Sequence, residues 1–250
     1  MIIFIGAGPG DPELITVKGL KILKKADVVI YAGSLVNKDL LKYLKKESIV
    51  FNSASMTLNE IIEIMEKYSL QKKLVVRLHS GDPSIFGAIR EQMNLLDKKN
   101  IKYEVIPGVS SFCAAAAALK KEYTLPGVSQ TIIITRIEGK TKVPPKENIS
   151  LLAKHNATMV FFLSINRVEK VVESLKEYYA KSTPAVIVYK ASWPDQKIIE
   201  GTLENILDKA KRSNIKKTAL FIVGNFLGDN FELSKLYDAK FSHGYRKSIY

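Results

Sequence analysis

One cysteine, Cys113, stands in 250 residues, so an internal disulfide and a cysteine-based zinc cluster are both excluded. It lies in an alanine-rich segment and reads as a small buried apolar residue. Histidine is scarce too. His79, His155 and His243 show no metal-ligand spacing, and no protein-bound metal is expected. No apolar run approaches the roughly 20 residues of a membrane helix. The opening Met1-Ile2-Ile3-Phe4 runs straight into a glycine turn rather than a signal peptide, so a cytoplasmic protein with no membrane partner is expected. A Ser-His-Asp order, a paired-carboxylate motif, HExxH and a P-loop are also missing.

Acidic residues are outnumbered, 25 against 38 basic ones, for a net charge of +13. The lysines are scattered over helix faces, as at Lys18, Lys21, Lys24 and Lys25, and again at Lys42, Lys45 and Lys46. No aromatic residues interleave with them to mark a nucleic-acid groove. No nucleic-acid partner is expected, and a polyanionic small substrate fits the charge equally well.

The chain is organised around residues 75–92, VVRLHSGDPSIFGAIREQ. An apolar run reads as a buried strand and stops at Ser80-Gly81-Asp82-Pro83. Glycine there permits close backbone approach to a ligand, and Asp82 could cap the helix that Ile85, Phe86, Ile89 and Met93 suggest by spacing. His79 reads as a strand-end histidine contacting solvent or backbone. Near the start, Gly6-Ala7-Gly8-Pro9-Gly10-Asp11-Pro12 follows a first strand. It fails as a dinucleotide loop, because Asp11 replaces the third glycine and two prolines remove N–H donors. That argues against NAD and nucleotides.

Helices are expected at 14–26, from about 35 to 45, and over 58–68 by an apolar stripe. Strands at 2–5, 28–31, 49–51, 74–78 and 103–106 alternate with them, which means a mostly parallel sheet covered on both faces. The pattern breaks at Pro107-Gly108-Val109-Ser110-Ser111, so an N-terminal α/β domain is placed at 1–109 and a C-terminal α/β domain at 110–250. In the second half, strands are expected at 130–135, 158–163, 185–190, 197–200 and 218–224. Helices fall at 149–154, 168–179 and 202–211, the last capped by Thr202. The short link between 185–190 and 197–200 suggests antiparallel pairing, hence a mixed sheet. Strand ends rich in small residues and poor in acids and bases suit an already reactive cofactor that the protein orients.

Six segments together resemble the tetrapyrrole methyltransferase family over the full length: GAGPGDPELIT, YAGSLV, SGDPSIFGA, PGVSS, YKASWPDQKIIEGTL and LYDAKFSHGYR. The second, fifth and sixth resemble its branch acting on C11 of precorrin-4 or cobalt-precorrin-4 in cobalamin biosynthesis. The resemblance implies a two-domain α/β enzyme, usually a homodimer, with S-adenosylmethionine in the cleft between domains. It implies cofactor contacts at Pro9, Ser80, Gly81, Asp82, Ile85, Ser110, Ser111, Leu163, Ala191, Thr218 and Ala219. Leu163 stands where the family often has methionine, and Ala88 stands where uroporphyrinogen-III methyltransferases carry an arginine. The second departure favours a corrin-pathway substrate. Asp11, Tyr31, Ser34 and Glu91 are the candidates for an anionic tetrapyrrole trough. Alternatives left open are methylation of another tetrapyrrole and a cofactor-binding protein without turnover.

Overall fold

The computed structural model describes residues 1–249. Its backbone packs as two units: Met1–Ala118 with Lys190–Gln196, and Leu119–Tyr189 with the chain from Lys197 onward. The small-residue helix Ser111–Leu119 packs almost whole with the first unit.

In the first unit five parallel strands, β1 (Ile2–Gly6), β2 (Val28–Tyr31), β3 (Ile49–Asn52), β4 (Val75–His79) and β5 (Tyr103–Ile106), lie in the order β3-β2-β4-β1-β5. The three inner strands are buried along their whole length. Side chains alternate across a strand, so each strand feeds two cores. Ile3, Ile5, Val29, Val76 and Leu78 meet Leu23 of α1 (Val17–Leu23) on one face. On the other, Ile2, Phe4, Ile30 and Val75 meet Ile61, Ile62 and Met65 of α2 (Leu58–Leu70) and Leu96 of α3 (Ile89–Lys98). Each such side chain contributes about 1.5–3 kcal/mol by leaving water. The helix Ser111–Leu119 is α4.

The second unit is the expected mixed sheet. Its strands β6 (Ile132–Arg136), β7 (Thr158–Phe162), β8 (Pro184–Tyr189), β9 (Lys197–Thr202) and β10 (Ala219–Val223) run in the order β6-β7-β10-β8-β9. Only β6 and β7 pair in parallel; β10 is antiparallel to both neighbours, and β8–β9 is antiparallel. Met159, Phe161, Ile187 and Phe221 pack against Val171, Val172 and Leu175 of α6 (Val168–Leu175) and Ile206 of α7 (Ile206–Ser213), while the short α5 (Ile149–Ala153) closes the end. No described helix is long and apolar enough to cross a membrane.

Four local expectations are corrected. The helix after the Gly-Asp-Pro turn starts only at Ile89, because Phe86 and Ala88 take left-handed backbone at φ +52° and +50°. Thr202 ends β9 rather than capping a helix, and α7 begins at Ile206. The segment before Lys45 forms a 3-10 helix, Lys38–Tyr43. Cys113 is exposed on α4, since the alanines Ala114 and Ala115 supply the buried side of that helix.

Candidate functional site

In the first unit the turns leaving β1, β4 and β5 are joined backbone to backbone at the carboxyl edge of the sheet. The Ala7 N–H donates to the His79 carbonyl at 2.7 Å, and Gly8 and Gly81 exchange N–H···O bonds of 3.3 and 2.8 Å. These contacts need glycine. A Cβ on Gly108 would lie 2.2 Å from the Gly81 carbonyl oxygen, and one on Gly6 would lie 2.5 Å from the Gly108 Cα. Gly81 itself has φ +64° and faces Ser110 and Ser111 at the start of α4. The cluster therefore gathers Pro9, Ser80, Gly81, Asp82, Ser110 and Ser111 from three separate stretches of sequence.

Asp82 shapes this turn. Its carboxylate accepts from the Gly108 N–H at 2.8 Å, the Ser84 N–H at 2.8 Å and the Ser84 hydroxyl. Partial burial opposes its ionisation, but those three donors outweigh it and hold the carboxyl below its ordinary range. It caps no helix; the bond to Ser84 is a local turn, and Ile85 follows through its own N–H to the Asp82 carbonyl at 3.2 Å.

The loop Pro9-Gly10-Asp11 is held from outside the three turns. The Trp193 Nε1–H donates to the Pro9 carbonyl at 3.0 Å, and the Asp11 N–H donates to Ser192 Oγ at 3.0 Å. The Asn37 amide donates to the Gly10 carbonyl at 2.8 Å. Ala191, buried, belongs to the same β8–β9 connection. Residue patterns mark Ala191–Pro194 as a strand end but do not single out Trp193, Ser192 or Asn37 as partners of this loop. The one available signal was the chain's single tryptophan standing beside a proline in a strand-end loop.

The trough candidates are less gathered. Tyr31 is buried at the end of β2, whereas Ser34 and Glu91 are exposed. Among the described residues, the side chains of Asp11, Tyr31, Ser34 and Glu91 make no hydrogen bond to one another. The Asp11 carboxylate caps the 3-10 turn Pro12–Leu14 by accepting from the Glu13 N–H at 2.9 Å. Behind them lies a buried polar chain. Arg77 donates to Gln92 Oε1 (3.2 Å), the Ile30 carbonyl (3.3 Å) and Ser53 Oγ (3.0 Å), and Ser53 donates to the Tyr31 carbonyl (3.1 Å). Gln92 donates to the Ala88 carbonyl at 3.0 Å, fixing the start of α3. Burial pulls the Arg77 guanidinium down to about 10. His79 is buried rather than solvated, with Nε2 unpartnered; burial and then the nearby Arg77 push it down to about 3, so it is neutral at ordinary pH.

In the second unit, Leu163 follows β7 and Thr218 precedes β10. The β7–β10 register, Phe221 opposite Phe161, puts both at one edge of the sheet, with Ala219 opposite Tyr189 of β8. Leu163 and Thr218 take left-handed backbone at φ +52° and +56°. Leu163 leaves 65% of its surface to solvent, an apolar side chain presented by a strained strand end.

The model of the Tetrapyrrole (Corrin/Porphyrin) Methylases matches residues 1–207. A cobalt-precorrin-4 C(11)-methyltransferase of Methanocaldococcus jannaschii is 57% identical over 249 residues, covering 99% of this chain and 96% of the relative. The X-ray structure of a cobalt-precorrin-4 methyltransferase, a cobalamin biosynthetic enzyme, matches with a TM-score of 0.89 at 45% identity, covering 91% of this chain and 96% of that one. A uroporphyrin-III C-methyltransferase of Thermus thermophilus, solved with S-adenyl homocysteine, matches with a TM-score of 0.74 at 26% identity, covering 90% and 92%.

Proposed function

Because the chain belongs to the tetrapyrrole (corrin/porphyrin) methylases, we propose that it transfers the methyl group of S-adenosylmethionine to C11 of precorrin-4 or cobalt-precorrin-4, in cobalamin biosynthesis. The observation that carries this reading is agreement at 57% identity along 99% of the chain with a relative bearing that activity in its name. The position of Ala88, where the uroporphyrinogen-III enzymes carry arginine, supports a corrin-pathway substrate.

The residues fit the cofactor. The turns at Gly81 and Gly108 keep Cβ atoms away where backbone must come close. In the first unit Pro9, Ser80, Gly81, Asp82, Ile85, Ser110, Ser111 and Ala191 would contact it. Bound S-adenosylmethionine supplies an electrophilic methyl group. What the chain must supply is position, since holding two reactants in line can contribute several kcal/mol without a strong acid or base. Asp11, Tyr31, Ser34 and Glu91 would face the macrocycle, and cationic side chains its carboxylate rim. A cytoplasmic homodimer belongs to the same reading, and its mass is measurable by analytical ultracentrifugation.

Anaerobic incubation with S-adenosylmethionine and cobalt-precorrin-4, beside uroporphyrinogen III, tests the reading by mass spectrometry. A gain of one methyl on the corrin substrate only, placed at C11 by NMR, is expected. A methyl on uroporphyrinogen III instead would overturn the substrate, and the significance given to Ala88 with it.

A further inference from the structure

The connection 190–196 runs between two strands of the second sheet, yet it packs with the first unit. Its contacts converge on three residues. Pro9 has no N–H, so its carbonyl is its only backbone hydrogen-bonding group, and the Trp193 indole N–H occupies it at 3.0 Å. The indole ring lies against Gly10 so closely that a Cβ there would sit 2.0 Å from Trp193 Cδ1. Ser192 Oγ takes the Asp11 N–H, while the Ser192 N–H is taken by Gln196 Oε1 at 2.7 Å. The Lys190 ammonium, paired with Asp195 at 2.6 Å, lies 5.2 Å from the centre of the Trp193 ring.

Lys190 and Ser192 adopt left-handed backbone at φ +48° and +69°. Such residues persist only where their surroundings over-determine them, and they concentrate at sites of function. Trp193 also lies outside all three hydrophobic cores. Its N–H and the ring edge beside it both meet the Pro9-Gly10 backbone, while the ring face carries Lys190.

We propose that Trp193 is a positioning residue for the cofactor: by holding the Pro9 carbonyl and pressing on Gly10, it sets the Pro9-Gly10-Asp11 backbone on which S-adenosylmethionine binding depends. Trp193 acts through that loop. The proposal rests on the methyltransferase reading.

The test uses the full-length protein and S-adenosylhomocysteine as probe. Trp193→Phe removes the indole N–H together with the five-membered ring edge that lies over Gly10, and keeps a smaller aromatic ring. Titration calorimetry is expected to show its Kd raised about tenfold while the melting temperature stays within about 2 °C of the unsubstituted protein. Ser192→Ala, which releases the Asp11 N–H and leaves the ring alone, is expected to raise the Kd by about threefold. Trp193 is the only tryptophan, so the emission of the unsubstituted protein should also change as the probe saturates. A Trp193→Phe protein that binds within about twofold of the unsubstituted one overturns the proposal and leaves the methyltransferase reading intact. If that variant does not fold, unchanged affinity in Ser192→Ala together with unchanged emission overturns it. Failure of the unsubstituted protein to bind the probe at all would sink the methyltransferase reading itself.

Discussion

At the scale of single residues, the site is made by what is missing from side chains as much as by what they carry. Gly108 is the sharpest case, because an added Cβ would meet the Gly81 carbonyl 2.2 Å away, and backbone cannot give as a flexible side chain can. Gly108→Ala should therefore push the β4 and β5 turns apart and abolish measurable S-adenosylhomocysteine binding by calorimetry; retained affinity would show that the turns have slack. His79 makes a different prediction. Its pKa is pushed down to about 3 from an ordinary 6.5, so between those values the unfolded chain binds a proton that the folded chain refuses. Stability from neutral His79 is whole above pH 6.5, declines as the pH falls, and is lost by about pH 3. The amount is of order a few kcal/mol. His79→Phe removes the titrating group, and urea melts across that range should show a visibly flatter pH dependence.

At the scale of elements, the entry to α3 is where local propensity and the fold disagree. The apolar spacing at Ile85, Phe86 and Ile89 is helical, yet Phe86 and Ala88 are left-handed and the helix waits until Ile89. Nothing in one-dimensional spacing signals that delay. It is imposed by the Asp82 turn on one side and by Gln92 holding the Ala88 carbonyl on the other. Left-handed alanine costs about 1–2 kcal/mol, partly offset in glycine by the greater freedom of its unfolded state. Ala88→Gly should thus raise stability by up to about 1 kcal/mol, read as a higher melting temperature; a fall would mean that the strain is not borne by Ala88. By contrast α2 announces itself completely. Thr57 and Glu60 form a reciprocal capping box, and Ile61, Ile62 and Met65 line its buried face.

At the scale of the whole molecule, the net charge is +13, and ion pairs such as Lys42–Asp39, Lys176–Glu173 and Lys211–Glu169 are exposed, each contributing about 0–1 kcal/mol. The excess is better spent on attraction. For a polycarboxylate macrocycle, kcat/KM should fall several-fold between about 0.05 and 0.5 M salt, as the Debye length shortens. A rate indifferent to salt would remove any role for the charge in capturing the substrate.

The strands, the mixed character of the second sheet and the small-residue turns were legible in the sequence, because alternation and apolar runs act over a few residues and report burial directly. So were the six segments that mark the family. Which turns meet was not legible. The strand order β3-β2-β4-β1-β5 sets β1 beside β4, more than 70 positions away, and only that pairing brings Gly8 to Gly81. Trp193 reaches Pro9 across 184 positions. Contacts of that range depend on sheet pairing and on closing long loops, which no local spacing encodes. The same reason explains the buried His79 and the exposed Cys113: burial of a lone residue is decided by the neighbour that packs on it, and that neighbour is chosen by the tertiary structure.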